Sequence, residues 1–334
     1  MSQIWQTGVL LLCAVALSAA GILIWKKKKR IYLRVGKVAK IFFYPIKSMS
    51  GIEVTEGKCT EKGLEVNGLL DRSFMLIAGD GSFLSNAKAP RIALLPPPQI
   101  RGKYLIVSKP SGDDLKIEVK DSPAPEDKII ECRMSSDSVK GVDCGDEAAA
   151  WFQEHLEMPD VRLVRYFLSL PPKKYVGKNS FRAQLSKNNP IGLQAKTAIH
   201  LVSQASIDDL NSRLDEDNKV SVLNFRPNIL VEECGAFDED SWKYMKFESG
   251  IEILNWGLNP RCLQTTVKPD IGVLTSKEPL ITLGKYRIPK DQGMREKTGP
   301  RPCLGTLCIV LKSGDIHLND DVFAVVDEKP KMNQ

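Results

Sequence analysis

Three histidines in 334 residues leave little room for imidazole chemistry. They stand at His155, His200 and His317, no H-E-x-x-H occurs, and nothing anchors a His-based triad. Each therefore reads as structural or exposed. Phosphate-cradling loops are missing too. Neither G-x-x-x-x-G-K-[ST] nor a G-x-G-x-x-G after a strand is present, which removes the usual signatures of direct nucleotide binding. The eight cysteines include no C-x-x-C pair. Cys303 and Cys308 are near neighbours, but no second pair of cysteines or histidines completes a zinc set. Acidic residues fall mostly in polar runs such as Asp215-Glu216-Asp217, which read as solvated faces.

The first 25 residues carry no charged side chain, and Lys26–Arg30 (KKKKR) follows at once. That cluster holds five of the six net positive charges, so the chain after it is close to neutral. A basic nucleic-acid-binding surface is thereby excluded. Gly8–Trp25 is apolar and would span roughly 27 Å as a helix, near the hydrocarbon thickness of a bilayer. Trp5 and Trp25 bracket it as interfacial aromatics, and the basic cluster behind it predicts a cytosolic C-terminal part. A cleaved signal peptide would carry its basic residues ahead of the apolar run. Residues 1–30 are thus expected to be a membrane anchor with a basic stop. The remaining cysteines are then reduced thiols.

Beyond the anchor the pattern is mainly β. Strands are expected at Val35–Tyr44, Asp71–Ala78 and Ser82–Ser85 around an Asp80-Gly81 hairpin turn. Further strands are expected at Arg91–Leu95, Tyr104–Val107, Leu115–Val119 and Val161–Phe167. A helix fits Asp143–Glu157, with Ala148, Trp151, Phe152 and Leu156 on one face. Lysine- and proline-rich Pro171–Pro190 reads as a junction. Strand Ala198–Val202 follows, then a helix Gln204–Leu214 capped by Ser203. Val220–Val222, Ile229–Glu232, Ser241–Phe247, Gly250–Trp256, Leu304–Leu311 and Val322–Val326 complete the predicted strands; Asn259-Pro260 is expected to break the strand before it, and β-branched Thr265-Thr266 to restart an extended run. Many short strands with few helices predict a barrel or sandwich carrying helical insertions.

Candidate chemistry gathers at predicted strand ends. Tyr44-Pro45-Ile46-Lys47-Ser48, Asp71-Arg72, Asn224-Phe225-Arg226-Pro227-Asn228 and Pro260-Arg261-Cys262 each place a cation beside a proline, a turn or a hydrogen-bonding side chain. Arginine offers a rigid fork suited to phosphate and lysine a point charge. Cys262 reads in two ways. It is a small apolar residue at a strand start, or a thiolate favoured by the adjacent guanidinium and suited to a soft metal. Four cationic strand ends with one such thiol suggest an anionic ligand held against a soft centre.

These segments also resemble the MOSC family and, within it, the amidoxime-reducing components. The matching motifs are YPIKS, Asp71-Arg72 before an apolar strand, NFRPN, and Arg261-Cys262 followed by TTV-x-PD-x-G. They run in order through essentially all of residues 31–330. The resemblance implies an α+β, mainly β fold: an N-terminal MOSC β-barrel-like domain over 31–172, a MOSC-type β-barrel over 173–330, and a single N-terminal transmembrane helix. It also implies a molybdenum cofactor (Mo-molybdopterin) with Cys262 as metal ligand and catalytic residue. Lys47, Ser48, Arg72, Arg226, Asn228 and Arg261 match positions that hold the pterin and phosphate. Thr197 aligns with a hydroxyl at the cofactor.

The implied activity is reduction of N-hydroxylated compounds such as amidoximes and hydroxylamines. With no flavin or haem signature in the chain, electrons would come from cytochrome b5 and NADH-cytochrome b5 reductase. The implied location is the mitochondrial outer membrane, single-pass and facing the cytosol, with the endoplasmic reticulum or peroxisomal membrane as alternatives. Two departures from the family pattern stand out. Gln194-Ala195-Lys196 replaces an expected aspartate, and Gly305-Thr306-Leu307 falls where a tyrosine is expected. Two other functions stay open: a sulfur carrier or cofactor-delivery protein with a persulfide on Cys262, and a non-catalytic membrane adaptor.

Overall fold

Seven strands close on themselves to form a barrel in the computed structural model, which describes residues 30–134, 137–174, 192–194, 196–274 and 277–333. In chain order they are β1 (Leu33–Phe43), β2 (Ile199–Ser203), β3 (Ile229–Glu232), β4 (Trp242–Phe247), β5 (Glu252–Pro260), β6 (Cys303–Lys312) and β7 (Asp321–Val326). Their order around the barrel is β3-β2-β6-β5-β4-β7-β1, and β1 returns to β3 to complete the ring. An odd number of strands cannot alternate direction all the way round, so one neighbouring pair must be parallel. That pair is β2 and β3. Parallel neighbours need a long crossover, and it is supplied by the helix Gln204–Asn211 and the segment after it. Ser203 caps this helix by accepting from Ser206 N.

The barrel core follows from strand patterning. In β4 Trp242, Met245 and Phe247 turn inward, while β6 is buried along eight consecutive residues. Val38, Ile41, Ile253, Val310 and Val322 pack with them in one apolar cluster. Burial of each such side chain contributes roughly 1.5–3 kcal/mol.

The sequence halves share sheets. β1 belongs to the first half but pairs with β3 and β7 of the second. In return, strand Gly314–His317 pairs with Glu56–Thr60. The described residues from Tyr32 onward form one compact unit. The rest of the first half builds a four-stranded sheet that includes Phe74–Ile77 and Arg162–Arg165, and a three-stranded sheet over 99–118. Helix Asp146–Leu156 packs between them.

Several expected elements take other forms. Arg91–Leu95 is not a strand; Pro90–Leu94 is a 3-10 turn, where proline's fixed φ suits the first position. Val220–Val222 gives way to the helical turn Val222–Phe225, because Ser221 and Asn224 form a reciprocal capping box. Thr265 and Thr266 do not restart a strand. Their hydroxyls donate to the carbonyls of Cys262 and Leu263, which holds Leu263–Thr266 as a 3-10 turn. Strand β5 runs through Asn259-Pro260 instead of stopping there, with Pro260 opposite Cys303. Strand Phe74–Ile77 is shorter than expected, since Arg72 sits in a left-handed turn (φ 53°) just before it.

The expected anchor helix over 8–25 lies outside the described residues. Among the described residues no helix is long and apolar enough to cross a membrane.

Candidate active site

Lys47 and Ser48 leave the end of β1, and Asn228 sits at the start of β3, with Arg226 two residues before it. These elements are pinned to one another. The Asn228 side chain accepts from His200 N and donates to the Phe42 carbonyl, while its own backbone N–H bonds the His200 carbonyl. β5 delivers Arg261 and Cys262 to the same place. All eight residues singled out from the sequence (Lys47, Ser48, Arg72, Thr197, Arg226, Asn228, Arg261 and Cys262) line one cavity of about 310 Å³.

Backbone strain collects here. Ser48 (φ 75°), Arg72 (φ 53°) and Arg226 (φ 54°) all adopt the left-handed conformation, which costs non-glycine residues about 1 kcal/mol or more. Such strain persists where surrounding structure enforces it, and it clusters at functional sites. Part of the enforcement is visible. The Tyr44 ring is held between the Arg72 and Arg226 guanidiniums, each 4.4 Å from its centroid. Arg72 pairs with Asp71 and donates to the Arg226 carbonyl at 3.0 Å, and Arg226 donates to the Met49 carbonyl.

The cations differ in how far they are already engaged. Arg261 is committed to the cavity wall: it donates to the Leu304 and Phe225 carbonyls and contacts His200 Nε2 at 2.7 Å. A guanidinium has only donors, so His200 Nε2 accepts, and Nδ1 faces the Arg226 carbonyl at 3.3 Å as the protonated nitrogen. Burial, with Arg261 adding to it, holds the His200 pKa well below its ordinary value. The ring is therefore neutral. Arg72 and Asn228 are likewise occupied by protein partners, and the Thr197 hydroxyl donates to the Ile199 carbonyl at 3.0 Å.

Three donors remain. The Lys47 ammonium is buried over the Phe83 ring at 4.9 Å. Burial holds its pKa well below the ordinary lysine value, and Lys173, Arg72 and Arg226 push it the same way. Ser48 Oγ and Arg226 Nη2 are buried with no hydrogen-bond partner. Lys173, Lys196 and Arg301 add positive charge to the lining, against Asp137 as its one acid among the described residues. Cys262 is exposed at the rim, its Sγ 4.0 Å from Gln264 Oε1, while Cys59, Cys132, Cys303 and Cys308 are buried. Burial pushes the Cys59 and Cys308 thiols up to about 12. Among the described residues no group of three or more histidines, cysteines or acids is placed to hold a metal.

The unpartnered donors and excess positive charge fit a phosphate-bearing organic anion, and the accessible sulfur fits a soft metal carried by it. The residues present are compatible with a molybdenum pterin.

His200, read from the sequence as structural or exposed, is buried in the cavity wall, where it meets a guanidinium 61 residues away. Sequence reasoning missed Asn224, whose amide bonds the Thr265 and Val267 carbonyls and ties the Arg226 loop to the turn after Cys262. Both departures have structural content. Gln194 is buried and binds the Lys62 and Asp71 carbonyls, bracing the Arg72 turn. Gly305 has φ 72°, and a Cβ there would lie 2.5 Å from Val202 Cγ2 and 2.6 Å from the Leu201 carbonyl oxygen. No larger residue fits at that position without movement of the strand.

A closed β-barrel with this cavity at the joined ends of its strands defines a MOSC-domain protein. The MOSC N-terminal beta barrel domain family matches residues 35–159, and the MOSC domain family matches residues 188–323. Within that class the chain belongs to the mitochondrial amidoxime reducing component family. It is 35% identical over 323 residues to mitochondrial amidoxime reducing component 2 of Rattus norvegicus, covering 95% of this chain and 91% of the relative. Against component 2 of Homo sapiens the identity is 34% over 302 residues, covering 90% and 87%. Component 1 of Homo sapiens is 32% identical over 317 residues, covering 93% and 90%.

Proposed function

We propose that this chain is a molybdenum-cofactor-dependent reductase of N-hydroxylated compounds, amidoximes and hydroxylamines among them. The observation that carries the reading is the cavity in which an exposed Cys262 shares a wall with the buried Lys47 ammonium and the unpartnered Ser48 and Arg226 donors. When bound, the cofactor supplies the two-electron reduction of the N–O bond.

The chain's own residues then have distinct parts. Lys47, Ser48 and Arg226 hold the pterin and its phosphate through charge-assisted hydrogen bonds. Arg72, Asn228 and Arg261 shape the cavity, the two arginines keep its potential positive, and Thr197 flanks it. Cys262 is the protein ligand to the metal and the catalytic residue. Leu307, on the cavity wall, leaves that side apolar for the organic part of a substrate.

Electrons come from cytochrome b5 and NADH-cytochrome b5 reductase. Residues 1–30 anchor the chain in the mitochondrial outer membrane with the barrel toward the cytosol, close to such donors.

The full-length chain, purified in detergent from a cofactor-producing host, is mixed with NADH, cytochrome b5, its reductase and benzamidoxime. Benzamidine should form, and leaving out cytochrome b5 should stop it. No benzamidine from molybdenum-loaded protein, with either the protein donors or a chemical reductant, would overturn the reading.

A further inference from the structure

Away from the barrel cavity, a second cavity of about 280 Å³ lies in the first half of the chain. Its walls come from strands Leu115–Glu118 and Arg162–Arg165 and from the start of helix Asp146–Leu156. Arg165 lines it and is 8% exposed, yet its Nε and Nη1 are buried without a hydrogen-bond partner. Its guanidinium rests on two rings instead, 5.2 Å from the Phe74 centroid and 4.3 Å from that of Phe167. Burial lowers its pKa, opposed only at a distance by Cys144 and Asp121. A buried charged donor left unmet is destabilising, so this arginine is built to receive an acceptor.

A second feature points the same way. The helix begins after Gly145 with no side-chain cap, and Gly145, Glu147 and Ala148 line the cavity. Uncapped first-turn amides and the helix dipole favour an anion there. Acids are present in the wall: Glu118 pairs with Lys103, Asp127 with Lys120 and Asp143 with Arg162, and Glu147 stands in the helix's own first turn. These carboxylates would repel a dianion, whereas a monoanion matches the single uncompensated guanidinium, whose planar fork suits a carboxylate. The size is near the lower end of the roughly 300–1,000 Å³ typical of small-molecule pockets, and Phe74, Leu115, Ile117, Val142 and Phe167 give part of the wall an apolar face.

We propose that this cavity binds a small monocarboxylate with an apolar body. Its carboxylate sits on Arg165 and the first turn of helix Asp146–Leu156, and its body lies against Leu115, Ile117 and Phe167. The site is separate from the cofactor cavity and does not depend on the function proposed above.

Benzoate is the probe, titrated calorimetrically into the full-length chain in detergent, with inorganic phosphate in parallel. One saturable site, weakened at least tenfold in Arg165→Gln and not competed by equimolar phosphate, is the expected result. No saturable binding, equal binding by Arg165→Gln, or competition by equimolar phosphate would overturn the proposal. Should Arg165→Gln fail to fold, the wild type still decides the matter through alkylation mapped by peptide analysis. Benzoate should slow alkylation of Cys144, which lines this cavity, and leave Cys262 unaffected. An unprotected Cys144 overturns the proposal.

Discussion

Replacing Lys47 by methionine should have opposite effects on the cofactor-free and cofactor-loaded protein. In the free protein the ammonium is buried, has no hydrogen-bonded acid, and is crowded by Lys173, Arg72 and Arg226. Methionine fills similar space without a charge, so Lys47→Met should stabilise the cofactor-free chain. The gain should be about 0.5–2 kcal/mol, the usual range for single stabilising changes, and should appear as a melting point higher by a few degrees. In the loaded protein the same ammonium faces an anionic group, and a charge-assisted hydrogen bond contributes about 1.5–3 kcal/mol. At about 1.4 kcal/mol per decade, its loss should weaken cofactor retention roughly 10- to 150-fold. The assay pairs thermal melting of protein from a host unable to make the cofactor with molybdenum content of protein from a competent host, measured after extended dialysis. A lower melting point in the cofactor-free variant would mean the charge serves the fold. Unchanged retention would mean it does not face the anion. Either result refutes the reasoning.

Two further predictions concern the frame of the site. Gly305→Ala places a Cβ against Val202 and the Leu201 carbonyl at positive φ, and should cost at least about 1–3 kcal/mol in urea unfolding; a neutral result would show that β6 can shift. His200 has its folded pKa depressed below the unfolded value of about 6.5. Its contribution is complete above that pH and lost as pH falls toward the folded value, at up to about 1.4 kcal/mol per pH unit. His200→Gln, which keeps an acceptor for Arg261, should flatten the decline in stability between pH 7.5 and 5.5, and parallel declines in the two proteins would contradict this.

The site was more legible in the sequence than the elements that carry it. Lys47 after Pro45, Arg226 before Pro227 and Arg261 after Pro260 stood out because proline and turn chemistry mark strand ends, and strand ends are where a barrel opens. The closure of the barrel was not legible. It depends on β1 meeting β3, with Lys37 opposite Glu232 and Ile41 opposite Ile229, and no local pattern specifies a partner so distant in sequence. Val220–Val222 and Thr265-Thr266 misled for a related reason. Their β-branched side chains favour strands on average, but the Ser221–Asn224 box and the threonine-to-carbonyl bonds decide locally. The Arg261 guanidinium, next to Cys262 in sequence and in electrostatic contact with it, also bonds Leu304, Phe225 and His200. Which cations are free and which are wall became apparent only from their partners.

The central claim is that Cys262 and the surrounding donors hold a molybdenum centre that reduces N–O bonds. Its most direct test is molybdenum content by elemental mass spectrometry on the full-length chain from a cofactor-producing host, read beside benzamidoxime reduction for wild type and Cys262→Ala. The account predicts near-stoichiometric molybdenum in the wild type and reduction that disappears in the variant. Wild-type protein without molybdenum, or a Cys262→Ala variant with full activity, would contradict it.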